Sequence, residues 1–191
     1  MTTSGECDRK AAERARLRAT RRTGACAPLS SEVLQATAAF GVPAGGTVCA
    51  YLPVGNEPGS AAMLDTLAES GFRVLLPVVV GPAPLDWAVY APDELAPGPF
   101  GLREPSGPRL GPTAIGAASL VLVPALAVDH RGVRLGKGGG HYDRSLPLTN
   151  APLVALVRDA EFVPYDLPAE AHDVRVDAVL TPGRGLLRLP L

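Results

Sequence analysis

Four stretches of this chain are apolar nearly throughout rather than on alternate residues. They are Thr47-Val-Cys-Ala-Tyr-Leu52, Arg73-Val-Leu-Leu-Pro-Val-Val-Val80, Leu120-Val-Leu-Val123 inside the longer run from Ser119 to Val128, and Leu153-Val-Ala-Leu-Val157. A strand with apolar side chains on both faces must be covered on both faces, and that condition belongs to a mainly parallel sheet between helical layers. A last strand is expected from Val176 to Thr181, and Asp86-Trp-Ala-Val-Tyr-Ala91 alternates in the manner of a half-buried strand. Pro77 breaks the second run toward its end, and the Pro- and Gly-rich stretch from Pro92 to Pro112 reads as mostly loop. The expected fold class is α/β, a three-layer α/β/α domain with a mainly parallel sheet and no internal repeat.

The helical layers come from the segments between these runs. Glu6 to Arg22 is rich in Ala, Arg, Lys and Glu and ends at Thr23-Gly24. A second helix is expected from Ser30 or Ser31, capped by a hydroxyl, to just before Gly41-Val-Pro43. A third opens at Gly59-Ser60, runs through Leu67 and closes at Gly71. The 191 residues suit a single domain, 1–191, with an N-terminal basic helix over about 6–22.

A net charge of -1 and a pI near 6.3 argue against a broad nucleic-acid surface. The cations are nevertheless uneven: Arg9, Lys10, Arg14, Arg16, Arg18, Arg21 and Arg22 crowd the first helix. Most of that face is expected to be solvated, with two of its seven cations touching phosphate. Cys7, Cys26 and Cys49 are odd in number and lack metal-ligand spacing, so neither a disulfide framework nor a zinc site is expected, and Cys49 reads as core. The N-terminus is charged, and no apolar run is long enough to span a bilayer. The expectation is a soluble cytoplasmic protein with no membrane or nucleic-acid partner.

The segment Arg134-Leu-Gly-Lys-Gly-Gly-Gly-His-Tyr-Asp-Arg-Ser145 carries the chemistry. Gly136, Gly138, Gly139 and Gly140 leave the backbone free to close around an anion, with positive φ where needed. Lys137, Arg134 and Arg144 add positive charge, and Asp143 could carry a divalent cation beside a phosphate. The segment is not a P-loop, because Gly138 follows Lys137 where a hydroxyl residue is needed. It is not a dinucleotide fingerprint either, since His141 stands at the third glycine position. The bland alternative is a flexible glycine hairpin.

In open α/β sheets the ligand crevice lies at the carboxyl ends of the strands. Taking the strand before the loop to end near Val128, the loop falls at that edge together with Pro53-Val-Gly-Asn-Glu57, and one cleft is expected to hold Glu57, the glycine loop and Asp129. Asp129 reads mainly as an acceptor holding the loop's amides, and Glu57 as a ligand residue rather than a helix cap. Trp87 and Tyr90 read as core or edge packing, with one of them a possible wall of the pocket; His130 reads as solvated, and His172 as orienting Asp173.

Taken together, Lys10-x-x-x-Arg14, Tyr51-Leu-Pro-x-x-x-Glu57, Pro97-Gly-Pro-Phe-Gly101 with Glu104-Pro105, Leu122 through Asp129, Arg134 through Asp143, His172-Asp173 and Asp177 through Thr181 resemble the 5-formyltetrahydrofolate cyclo-ligase family, in the family's order and nearly end to end. The resemblance implies a NagB/RpiA/CoA-transferase-like fold. It also implies an ATP- and magnesium-dependent enzyme that converts 5-formyltetrahydrofolate, with or without a polyglutamate tail, to 5,10-methenyltetrahydrofolate with release of ADP and phosphate, acting as a monomer.

Carried over by position, Lys10, Arg14 and Arg134 through Tyr142 (Arg134, Leu135, Gly136, Lys137, Gly138, Gly139, Gly140, His141, Tyr142) match nucleotide-binding positions. Leu52, Glu57 and the inner loop from Lys137 to His141 match folate-contacting positions, and Asp143 and Asp173 match magnesium positions. Lys137, Arg134 and Tyr142 are the catalytic candidates. The chain departs from many relatives at His141, where they carry tyrosine, and at Ala125 and Val128. Arg14-Ala-Arg-Leu-Arg18 imitates the Lys10 to Arg14 spacing, so two N-terminal registers are open. A binder of the same fold without turnover and a sugar-phosphate isomerase of similar architecture are the competing readings. The former has no need for two metal carboxylates beside a phosphate clamp, and the latter would need no ATP.

Overall fold

The computed structural model describes residues 4–21, 27–98, 103–170 and 173–191. Its helices are α1 (Ser4–Arg21), α2 (Ser30–Ala39), α3 (Ala61–Glu69) and α4 (His141–Ser145). The strands are β1 (Thr47–Cys49), β2 (Arg73–Val78), β3 (Asp86–Val89), β4 (Leu95–Pro97), β5 (Arg103–Pro105), β6 (Leu120–Pro124), β7 (Ala127–Asp129), β8 (Arg134–Leu135), β9 (Leu153–Leu156), β10 (Phe162–Val163), β11 (Ala178–Thr181) and β12 (Gly185–Arg188).

Seven strands form the central sheet in the order β12-β11-β9-β6-β1-β2-β3. The inner five are mutually parallel, and the two edges, β3 and β12, run antiparallel. Successive side chains of a strand point to opposite faces, so an apolar run feeds two cores at once. In β1 and its continuation, Val48 and Ala50 pack with Val33, Met63, Leu64 and Leu67 of α2 and α3, while Cys49 packs on the other face with Trp87, Ile115 and Leu146. That second face is covered by short 3-10 turns at Pro112–Ala117 and Leu146–Leu148 rather than by long helices. The result is a three-layer α/β fold.

A small sheet, β10-β7-β8, sits beside the main one, and Leu17 of α1 packs onto it with Leu126, Val133, Leu135, Val163 and Leu167. The strand expected over Leu120 to Val123 is β6, but the end near Val128 expected for the strand before the glycine loop belongs to a separate strand in the small sheet. Pro124 ends β6, and the chain crosses to β7, which pairs antiparallel with β8 and parallel with β10.

Other expectations change in similar ways. The described residues of the Pro-rich stretch are mostly loop, as expected, but β4 and β5 pair within it. A further strand, β12, follows β11 and closes that edge. The residue before α2 is Leu29 at φ 58, with no side-chain cap; Ser31 Oγ bonds Glu32 instead. Thr23-Gly24, Arg22, Cys26, Phe100, Gly101 and His172 lie outside the described residues.

Candidate active site

The chain leaving β7 is turned back toward β8 around Asp129. This fully buried carboxylate accepts hydrogen bonds from the backbone of Arg131, Val133 and Leu167 and from the Arg131 guanidinium. It anchors the β7–β8 turn rather than the glycine loop, and it does not line the cavity described below. The expected grouping of Asp129 with Glu57 and the loop is thus corrected: the break at Pro124 carries Asp129 into the small sheet. The turn depends on Gly132, whose φ is 79 and whose Cβ, if present, would stand 2.5 Å from the Val176 carbonyl oxygen.

Beyond β8 the chain opens into Gly136–Gly140 and re-enters a helix at α4. Gly138 (φ 103) and Gly140 (φ 67) adopt backbone conformations that side chains strongly disfavour. The loop's carbonyls are held by guanidinium groups. Arg14 Nε donates to Gly136 O at 3.0 Å, Arg18 to Lys137 O at 2.6 Å, and Arg144 to Gly139 O at 3.0 Å. The basic helix therefore positions the loop, and its inner face is not solvated: Lys10 and Arg21 are buried in ion pairs.

One cavity of about 540 Å³ lies at the carboxyl ends of β6, β1 and β2. Lys10, Arg14, Leu52, Glu57, Arg134, Leu135, Gly136, Lys137, Gly138, Gly139, Gly140, His141, Tyr142, Asp143 and Asp173 all line it, so every proposed site residue meets there. Tyr51, Leu76, Pro77, Val79 and Leu85 supply an apolar wall. Trp87 and Tyr90 do not line it; Trp87 is wholly buried in the core, and the Tyr90 hydroxyl donates to Asp65 at 2.7 Å. His130 is only partly exposed and rests against Phe162, with ring centroids 4.9 Å apart. Lys10 and Arg14 face this cavity, whereas Arg18 borders a smaller neighbour, which favours the Lys10 to Arg14 register.

Charge in the cavity is arranged as cation–carboxylate pairs. Lys137 Nζ lies 2.7 Å from Glu57 Oε1, and Arg134 donates to Asp143 Oδ1 at 2.5 Å. Lys10 Nζ contacts Asp173 at 2.6 Å and Glu170 at 2.7 Å. Burial acts to lower the Lys10 pKa, but the two carboxylates outweigh it and the net shift is upward, so the ammonium is the resident form. Tyr142 turns part of its ring to the cavity, while its buried hydroxyl has no hydrogen-bond partner among the described residues; burial first, and then the Glu57 charge, push its pKa far up. It is a neutral phenol beneath the Arg134 guanidinium, 5.8 Å from the ring centroid.

Glu170 escaped the sequence reading. It stands three residues before Asp173, its backbone N–H donates to Asp173 Oδ2 at 2.7 Å, and it shares Lys10 with that residue. Its only local signal was acidity next to a metal candidate.

Among the described residues no cluster of three or more His, Cys, Asp or Glu forms a ready metal cage. Asp143 and Asp173 line one cavity, and each offers carboxylate oxygens beside a cation. That donor set fits magnesium, which needs only one or two protein carboxylates when phosphates and water complete its shell. Among the described residues no helix is long and apolar enough to cross a membrane.

The chain is 53% identical over 152 residues to a 5-formyltetrahydrofolate cyclo-ligase of Mycolicibacterium smegmatis, covering 76% of this chain and 78% of that one. It is 30% identical over 145 residues to the 5-formyltetrahydrofolate cyclo-ligase of Escherichia coli, covering 72% and 79%. The solved structure of the 5,10-methenyltetrahydrofolate synthetase of Aquifex aeolicus superposes with a TM-score of 0.76 at 26% identity, over 94% of this chain and 92% of the other. The model of the 5-formyltetrahydrofolate cyclo-ligase family matches residues 7–182, and the chain belongs to that family.

Proposed function

We propose that this protein, acting as a single domain over residues 1–191, converts 5-formyltetrahydrofolate and ATP to 5,10-methenyltetrahydrofolate, ADP and phosphate. The observation that carries the reading is the one cavity in which Glu57, Lys137 on its glycine loop, Arg134 and the carboxylates Asp143 and Asp173 converge beside an apolar wall.

A formamide carbon is a poor electrophile because the nitrogen lone pair is delocalised into the carbonyl. Transfer of the γ-phosphoryl group to the formyl oxygen makes that oxygen a leaving group: the bond from phosphorus to the ADP oxygen breaks and the bond to the formyl oxygen forms. The folate's second nitrogen then attacks the formyl carbon and loses its proton. The five-membered ring closes, and the carbon–oxygen bond breaks to release phosphate.

Each step asks for position and charge rather than a covalent nucleophile. Glu57 presents a carboxylate suited to the paired N–H donors of an amino-pyrimidine edge. Leu52, Leu76, Val79 and Leu85 form an apolar bed for a ring system. Lys137, Arg134, Arg14 and Lys10 face the phosphates, with Leu135 and Gly136–Gly140 allowing close backbone approach, and His141 and Tyr142 cover the junction of the two ligands. Asp143 and Asp173 would hold the magnesium ion that accompanies the nucleotide, which when bound neutralises phosphate charge. The enzyme is expected to work as a cytoplasmic monomer and to accept folates with one or more glutamates.

The test is absorbance at the methenyl product's band for purified protein with 5-formyltetrahydrofolate, ATP and magnesium, against mixtures lacking each component. Product only in the complete mixture supports the reading. Folded protein that binds ATP or folate yet forms no product would replace it with a binder of the same fold.

A further inference from the structure

The geometry points to Lys137 as a gate between the two substrates: its ammonium must exchange Glu57 for nucleotide phosphate, so formylfolate and ATP bind with positive coupling. This rests on the cyclo-ligase reading and deepens it. Glu57 is buried; its Oε2 accepts the Val54 N–H at 2.8 Å, and its Oε1 holds Lys137 Nζ at 2.7 Å. A carboxylate offers about four lone-pair sites, and a planar edge with two N–H donors competes for those of Oε1 with the ammonium already seated there. A phosphate in turn competes with Oε1 for the same ammonium. Each ligand thus competes with the same ion pair, and whichever arrives first removes an obstacle to the other.

The exchange is confined to the side chain. The Lys137 carbonyl is pinned by Arg18 at 2.6 Å and the adjacent Gly136 carbonyl by Arg14 at 3.0 Å, so the loop backbone stays while a flexible stem on a half-exposed residue swings. The other phosphate-facing cations lack this property: Lys10 and Arg134 pair with Asp173, Glu170 and Asp143, none of them proposed folate contacts, and Arg14 donates to the Gly136 carbonyl. Binding free energies are linked reciprocally, so formylfolate that draws on Glu57 tightens nucleotide by the same factor that nucleotide tightens formylfolate. The physical consequence is restraint of idle ATP cleavage, because the lysine joins the phosphates when the acceptor is in place.

Calorimetric titration with a non-hydrolysable ATP analogue and magnesium tests the gate, with and without 5-formyltetrahydrofolate, in the wild type, Glu57→Gln, Lys137→Met and the double variant. Formylfolate is expected to tighten nucleotide in the wild type by about fivefold or more. Glu57→Gln is expected to tighten nucleotide in the absence of folate, and this gain is expected to vanish in the Lys137→Met background. An equal gain in both backgrounds would mean mere removal of negative charge and would overturn the gate. So would an unchanged wild-type Kd when folate is added, a comparison that needs no variant to fold. Turnover with no coupling overturns the gate alone, whereas failure of the wild type to bind formylfolate at all overturns the cyclo-ligase reading with it.

Discussion

Arg21, the last residue of α1, grips Glu161 across 140 positions of chain with two guanidinium–carboxylate bonds of 2.7 and 2.5 Å, while one of its nitrogens also donates to the Ala125 carbonyl at 2.7 Å. Both side chains are about 8% exposed. Burial alone would lower the Arg21 pKa, yet Glu161 outweighs it and the shift is upward. This clamp fixes the C-terminal end of the helix whose earlier turns carry Lys10 and Arg14 into the cavity.

Removing one partner of a buried pair leaves an uncompensated charge. Arg21→Ala is therefore expected to cost about 3–5 kcal/mol of folding stability, measured by urea unfolding. Arg21→Met combined with Glu161→Leu is expected to cost markedly less, since no charge is stranded. Equal losses would show that packing rather than charge dominates the contact.

Lys137→Ala and Asp143→Ala are each expected to lower turnover by at least about a hundredfold, as when positioned charge stabilisation is lost. The readout is the rate of methenyl product formation in variants whose circular dichroism matches the wild type. Near-normal rates would remove either residue from the machinery.

Gly132→Ala is expected to destabilise by at least about 1–3 kcal/mol, since it combines a left-handed φ of 79 with a Cβ 2.5 Å from a backbone oxygen that cannot step aside. Gly41→Ala is the control. Its φ is 63 with nothing within 4 Å, so only the conformational cost applies and the drop in Tm should be smaller.

Cys7 is exposed and Cys49 is buried, with burial pushing the Cys49 thiol from 9.0 up to about 12. In a Cys26→Ser background, one thiol should react rapidly with an aromatic disulfide reagent at pH 8 and a second only after denaturation. The sign of the pH effect follows: the neutral buried thiol contributes its full stability below pH 9.0, and that stability is lost as pH rises toward 12, because the unfolded chain ionises first. Alkaline unfolding at higher pH in Cys49→Ala than in the parent is the expected result; an unchanged or lower midpoint would contradict it.

Much of the fold was legible because its signals are local. Continuous apolar runs announced a sheet covered on both faces, and α1, α2 and α3 lie within a few residues of where composition and glycine placed them. The errors arose where partners decide. Ser119 to Val128 looks like one strand by hydropathy, and only the pairing of β7 with β8 and β10 divides it at Pro124. Leu95–Pro97 and Arg103–Pro105 carry too little pattern to be read as strands until each finds the other.

The site divides in the same way. By itself the sequence determined the residue types that chemistry needs: glycines that tolerate φ near 103 and 67, cations on the loop and first helix, and carboxylates after β1, in α4 and near the C-terminus. Only the tertiary structure decided the pairings, joining Lys10 to Asp173 over 163 positions and Lys137 to Glu57, recruiting Glu170, and diverting Asp129 into the small sheet. Backbone preference and hydropathy act over a few residues, whereas an ion pair in a cavity is settled by where the sheet order and the break at Pro124 bring distant segments together.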